Sequence, residues 1–145
     1  MEKSIKNKEN QTHLAIFCQP YLNLILEGKK TIESRFSKFK IAPYNKVKVG
    51  DKVIMKESGG FVLGEFTVEE VRYYDEMNIN KNTTEEVKSF SKEICSDVDL
   101  NFWQSKCQAK YVSLIKISNV IKYKKPRPCH EKKTKDMRGW IVLKK

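Results

Sequence analysis

The stretch PYLNLILEGKKTIESR, residues 20–35, changes its period at a glycine. Before Gly28, Leu22, Ile25 and Leu26 form an apolar stripe at helical spacing, and Pro20 suits the first turn of a helix. Gly28 is where such a helix stops. Beyond it the residues suit a pleated chain, with Thr31, Glu33 and Arg35 on one face and Ile32, Ser34 and Phe36 on the other. Lys30 stands at the start of that strand. A carboxylate between a lysine and an arginine is thus placed directly after a helix end.

Working outward, residues 1–12 are mostly polar and read as a disordered lead, leaving 13–145 as a single domain. HLAIFC, residues 13–18, reads as a first strand. KVIMKE, residues 52–57, is a strand, and Ser58-Gly59-Gly60 a hairpin turn into the long run FVLGEFTVEEVRYYD, with Gly64 a bulge or close approach. Thr83 and Glu86 have capping-box spacing, and Val87, Phe90 and Ile94 share one helical face. A following helical turn groups Leu100, Trp103 and Cys107. AKYVSLIKISNVIKY, residues 109–123, reads as strand, KKPRPCHEKKTKD as loop, and RGWIVLKK as a closing strand whose Trp140 is core. Strands come in runs, with helices inserted rather than alternating. The expected class is α+β, a small and mainly antiparallel barrel with peripheral helices.

The chain has 145 residues, 39% hydrophobic and 10% aromatic, enough to bury a core and unlike a disordered composition. Its net charge is +11. From Lys116 to Lys145, eleven basic and two acidic residues give +9 in that segment alone. Such clustering attracts polyanions, making RNA or a nucleotide-like ligand the expected partner; lysines far outnumber arginines, as they also do on plainly solubilising surfaces. The four cysteines lack CxxC spacing, the Cys129-His130 pair finds no matching ligands, and no apolar run approaches a membrane span. The expectation is a cytoplasmic protein with reduced thiols, no metal and no cofactor. Oligomeric state has no signal in the sequence.

Residues 20–35 resemble the signature of the ASCH domain, a member of the PUA-like superfamily: a helix followed by G-x-K-x-x-E-x-R. VGDKVIMKESGG resembles its next segment and DMRGWIVL the closing strand of a bacterial branch, so the resemblance spans roughly residues 13–143. It implies a PUA-like β-barrel with a cleft beside the signature and an association with RNA. Some members resemble amidohydrolases acting on N4-acylcytidine, and others are described as ribonucleases.

Taken as surface chemistry alone, Glu33 and Arg35 are an i,i+2 pair worth about 0–1 kcal/mol. The resemblance instead places Lys30, Glu33 and Arg35 in one cleft, where the cations can bind phosphate or a base carbonyl and the carboxylate a base amino group. Gln19, Tyr21, Lys56 and Ser58 are the expected neighbours, and Arg138, freed by Gly139, a further candidate. Lys122, Lys124, Lys125 and Arg127 are expected to follow a nucleic-acid backbone. The leading reading is therefore an RNA- or nucleotide-binding module. In the alternative, a small hydrolase, Lys30 is the general base, its pKa lowered by desolvation, and Glu33 positions water. The hydrolase members use a threonine two positions before the arginine, where this chain has Glu33; Thr31 stands beside it. Their distant glutamate would be Glu85, Glu86 or Glu93. Trp103 can stack on a base but reads first as packing, and a protein-binding adaptor is the third reading.

Overall fold

The computed structural model describes residues 9–132 and 135–143. Six strands and four short α-helices follow one another: β1 (Thr12–Phe17), α1 (Tyr21–Leu26), β2 (Ile32–Ser37), β3 (Lys52–Glu57), β4 (Val62–Tyr74), α2 (Lys81–Lys88), α3 (Ser91–Ile94), a 3-10 turn (Ser96–Val98), α4 (Phe102–Ser105), β5 (Tyr111–Arg127) and β6 (Trp140–Leu143). The strands form one sheet in the order β2-β5-β4-β3-β1-β6, antiparallel except where β1 runs parallel to β3. The sheet curls into a half-barrel, so that Arg35 on edge strand β2 reaches Ile16 O on β1 and Gly139 O just before β6. This is the α+β, mainly antiparallel, PUA-like class expected from the sequence.

Apolar residues at alternate strand positions make the interior. Ala15, Phe17, Val53, Met55, Phe66 and Trp140 meet Leu22 and Ile25 of α1, which plugs one end. The helix stops at Gly28 (φ +80°), and Leu24 O accepts hydrogen bonds from both Lys29 N and Lys30 N, folding the chain back into β2. Gly64 is a close-approach point, since a Cβ there would lie 2.5 Å from Ile121 O. The pairing slips on both sides of this residue. A buried polar triad also ties three elements of the barrel. Trp140 Nε1 donates to His13 Nδ1 at 3.1 Å, so the imidazole hydrogen sits on Nε2 and is donated to Asp51 Oδ2 at 2.8 Å. Asp51 is fully buried and also accepts from the backbone N–H of Gln11 and Lys48.

Four sequence expectations need correction. Gln11 and Thr12 belong to the fold, because Lys52 N donates to Gln11 O and Thr12 pairs with both β3 and β6; residues 1–8 of the expected lead lie outside the described residues. Asn80, not Thr83, caps α2, its side chain accepting from Asn82 N and Thr83 N. Leu100 is fully exposed, and Phe102 takes the buried place beside Ile94 and Val87. Finally, β5 extends through Lys124, Lys125 and Pro126 to Arg127 instead of ending at residue 123. Its pairing with β2 ends at Lys116, so from there on β5 is an edge, where a proline lacking an N–H is tolerated and lysines discourage further pairing. Among the described residues no helix is long and apolar enough to cross a membrane.

Two stability effects follow, both readable by urea denaturation. Trp140→Phe leaves the buried His13 Nδ1 without its donor and should cost about 1–3 kcal/mol. Gly64→Ala presses a methyl against a backbone carbonyl that cannot rotate away, with an expected cost of about 1–3 kcal/mol. Wild-type stability in either variant would contradict the packing described.

Candidate functional site

Lys30, Glu33 and Arg35 come together at the seam of the half-barrel, and each is held by a different part of the chain. Lys30, 2% exposed, donates to Ile32 O at 2.8 Å and to Ile94 O at 2.7 Å, and its Nζ lies 3.5 Å from Glu33 Oε1. It therefore fastens the start of β2 to the end of α3. Burial lowers its pKa, and Glu33 opposes that shift. Glu33 Oε2 accepts from Arg35 Nε at 2.5 Å. Arg35 then crosses the seam: Nη2 donates to Ile16 O at 2.8 Å and Nη1 to Gly139 O at 3.3 Å, while the guanidinium lies between the rings of Phe17 and Trp140 at 4.9 and 5.1 Å.

These side chains form one side of a cleft of about 260 Å³, closed otherwise by Ile16, Phe17, Cys18, Tyr21, Phe36, Phe102 and Lys106. Its chemistry depends on which polar atoms are still uncommitted. Arg35 has five N–H groups and three are taken, which leaves two. Glu33 Oε1 keeps acceptor capacity beside them. Among the described residues the Tyr21 hydroxyl has no hydrogen-bond partner, and burial, with Asp99 and Glu33 nearby, raises its pKa, so it stays a neutral donor. Residues carrying donors and an acceptor thus line one slot together with aromatic rings, a composition that suits the polar edge and flat face of a heterocycle.

Tyr21, Lys30, Glu33 and Arg35 line this cleft; Gln19, Lys56, Ser58 and Arg138 do not. Gln19 turns outward to Glu57 Oε2 at 3.0 Å and to Asn23. Lys56 Nζ folds onto Glu57 O, and Ser58 is held by its backbone N–H on Phe17 O at 2.8 Å. Arg138 pairs with Asp136 at 2.7 Å, so that the glycine after it serves Arg35 through its carbonyl instead of freeing Arg138 to enter. Lys122, Lys124, Lys125 and Arg127 lie exposed on the free edge of β5, with Arg127 stacked 3.7 Å from the Tyr123 ring centroid. The strand register places Arg127, Val62, Lys56 and Ile16 in one transverse row. This row brings the basic edge to the same end of the sheet as the cleft.

Several candidates for hydrolytic chemistry are occupied elsewhere. Lys30 Nζ faces three acceptors and needs an N–H for each, which leaves no lone pair to take a proton from a substrate. Thr31 borders a separate recess with Glu93 and Phe90. Glu86 accepts from the Tyr74 hydroxyl at 2.6 Å, and Glu85 is exposed on α2. None of the three glutamates borders the cleft. Trp103 packs edge-on against Phe36 and Phe102, as a core residue would. Cys129 is half-buried against the outer cluster of Leu14, Val62 and Ile141. The sequence reading passed over Lys106 and Phe102. Their i,i+4 spacing within FWQSK was the available signal, but the expected partner of Trp103 was Leu100.

The family model for the ASCH domain matches residues 16–138. Among solved structures, the ASCH protein of Zymomonas mobilis superposes with a TM-score of 0.69 at 11% identity, covering 94% of this chain and 90% of that one. A point mutant of that protein gives 0.68 at 11% identity, over 94% and 92%. The N-terminal domain of McrB from Staphylothermus marinus gives 0.52 at 15% identity, over 92% and 88%. At these identities the structural likeness carries the fold alone. No curated protein matches the sequence. Since the family match runs through both the signature helix and the strand holding Glu33 and Arg35, the chain belongs to the ASCH domain family.

Proposed function

We propose that this domain binds RNA, taking a base into the cleft beside the signature and following the backbone with the basic edge of β5. The observation that carries the proposal is the cleft itself. Arg35, Glu33 and Tyr21 line it together with the rings of Phe17, Phe36 and Phe102, a composition that suits a nucleobase better than an apolar ligand or a bare anion. The electrostatics agree with it. Lys122, Lys124 and Lys125 make no ion pair among the described residues, so their charge is available to phosphates.

Anisotropy titrations of a labelled single-stranded RNA across a salt series test the backbone half of this reading. Affinity should fall as salt rises, and reversing the charge at Lys122, Lys124 and Lys125 together should flatten the log–log slope by roughly 0.7 for each phosphate no longer neutralised. A slope indifferent to that triple variant would remove the β5 edge from the interface. The cleft half needs a variant that keeps the fold. Tyr21→Phe removes only the free hydroxyl and should weaken binding by about 0.5–1.5 kcal/mol with unchanged thermal stability.

Glu33→Ala should behave differently, because it strips buried Lys30 and half-buried Arg35 of their shared carboxylate. We expect a stability loss of about 3–5 kcal/mol, measured by urea denaturation without any ligand. A Glu33→Ala protein as stable as the wild type would mean that the three charges are not a structural unit.

A further inference from the structure

Lys30 is wholly committed to the protein and Arg35 spends three of its five N–H groups there, which makes Lys106, outside the signature, the unusual charge in the cleft. Its Nζ lies 5.0 Å from the Phe102 ring centroid and 5.2 Å from that of Phe36. Among the described residues this Nζ makes no hydrogen bond and no ion pair, its contacts being the two rings. Lys30, by contrast, has an acceptor for every N–H. Burial lowers the pKa of Lys106, with Glu33 opposing. An ammonium partly stripped of water and given only ring faces in exchange would be relieved by a ligand anion.

Its position shows where that anion would sit. A second recess of about 330 Å³ shares Lys106 and Phe36 with the signature cleft and continues past them along Ser37, Lys38, Ser105 and Gln108. The two recesses differ in charge. Glu33 lies in the first, whereas the second has no acidic residue on its wall and two lysines. The Ser37 hydroxyl accepts from Phe39 N at 2.9 Å and keeps its own hydrogen for a donor role. An aromatic, edge-reading slot thus opens over a ridge onto a basic, donor-lined one.

We propose that the second recess is a phosphate subsite, with Lys106 on the ridge gripping the phosphate of the same nucleotide whose base fills the signature cleft. The site then selects phosphorylated nucleotides, free or within RNA, over bare nucleosides. The proposal rests on the base-binding reading above and adds to it the ligand class and the residue that sets it. Lys106 acts through charge at short range, so its aliphatic stem against the rings is expendable for recognition but not for packing.

The experiment compares wild type, Lys106→Met, Lys106→Arg and the remote control Lys81→Met by NMR titration. The probes are the four ribonucleosides, their 5′-monophosphates and a short single-stranded RNA. We expect a monophosphate to bind at least tenfold more tightly than its nucleoside, with shifts at Ser37, Lys38 and Gln108. Lys106→Met should abolish that margin and leave nucleoside affinity within twofold. Lys106→Arg should retain most of it, and Lys81→Met all of it. If only the RNA binds, a tenfold loss in Lys106→Met with shifts at the same residues supports the subsite with RNA as the phosphate source. Nucleosides binding as well as monophosphates, or a margin or RNA affinity that survives in Lys106→Met, overturns the phosphate subsite while leaving base binding intact. Failure of every probe to bind overturns base binding and the subsite together. Should Lys106→Met not fold, the Lys106→Arg margin and the wild-type shifts decide: shifts confined to the signature cleft overturn the proposal.

Discussion

The sheet of this domain curls without closing, and one guanidinium spans the gap. β2 and β6 are the two ends of the strand order, and Arg35 on the first reaches carbonyls at Ile16 and Gly139 beside the second. Ile16 O lies just past the last β1–β6 pair, Ala15 with Trp140, and without Arg35 would need another donor, whereas Gly139 O also accepts from Ile16 N. A side chain in this role has a consequence that a backbone ladder would not. It leaves space around itself, and the cleft is that space. Glu33 fixes the guanidinium and Lys30 fixes Glu33, so the seam is held from β1 across to the end of α3 by three side chains in six residues.

Such a network is an expensive way to gain stability. Buried ion pairs recover little beyond the cost of removing their charges from water, and apolar residues of similar volume often do as well. What apolar replacements cannot do is leave directed donors and an acceptor at the lip of a cleft. Two Arg35 N–H groups and Glu33 Oε1 remain uncommitted after the seam is joined. The arrangement that keeps the barrel together therefore also sets polar side chains into the wall of the cleft, and substitutions within the triad disturb both.

Much of this was legible in the sequence, for identifiable reasons. The change of period at Gly28 gave the helix and β2, because one residue in a left-handed conformation must separate them. Alternation put Glu33 and Arg35 on the same face, and the pleat turns that face toward the barrel seam. Gly64 was legible because a glycine inside an otherwise branched strand implies close approach. The failures share a cause: they depend on partners distant in sequence. Nothing local distinguishes His13 as an imidazole held by Asp51 and Trp140. The continuation of β5 through Pro126 depends on β2 having ended at Lys116, and the fate of Arg138 depends on Asp136 outcompeting the cleft.

Lys106 is the instructive case, since sequence reasoning looked for the ligand's charge at Lys30, whose N–H groups face acceptors of the protein itself. A signature draws attention to Lys30 because its spacing recurs with a glutamate and an arginine, yet recurrence of spacing is what a structural keystone also requires. The number of hydrogen bonds at each nitrogen separates the two roles. An ammonium whose three N–H groups point at protein acceptors has nothing to offer a ligand without breaking the fold, whereas one resting on ring faces gives up only weak contacts when it turns to an anion. By that criterion Lys30 serves to build the cleft, and the ammonium free to turn to an anion sits on α4's trailing turn, four residues beyond the phenylalanine that helps to wall the cleft.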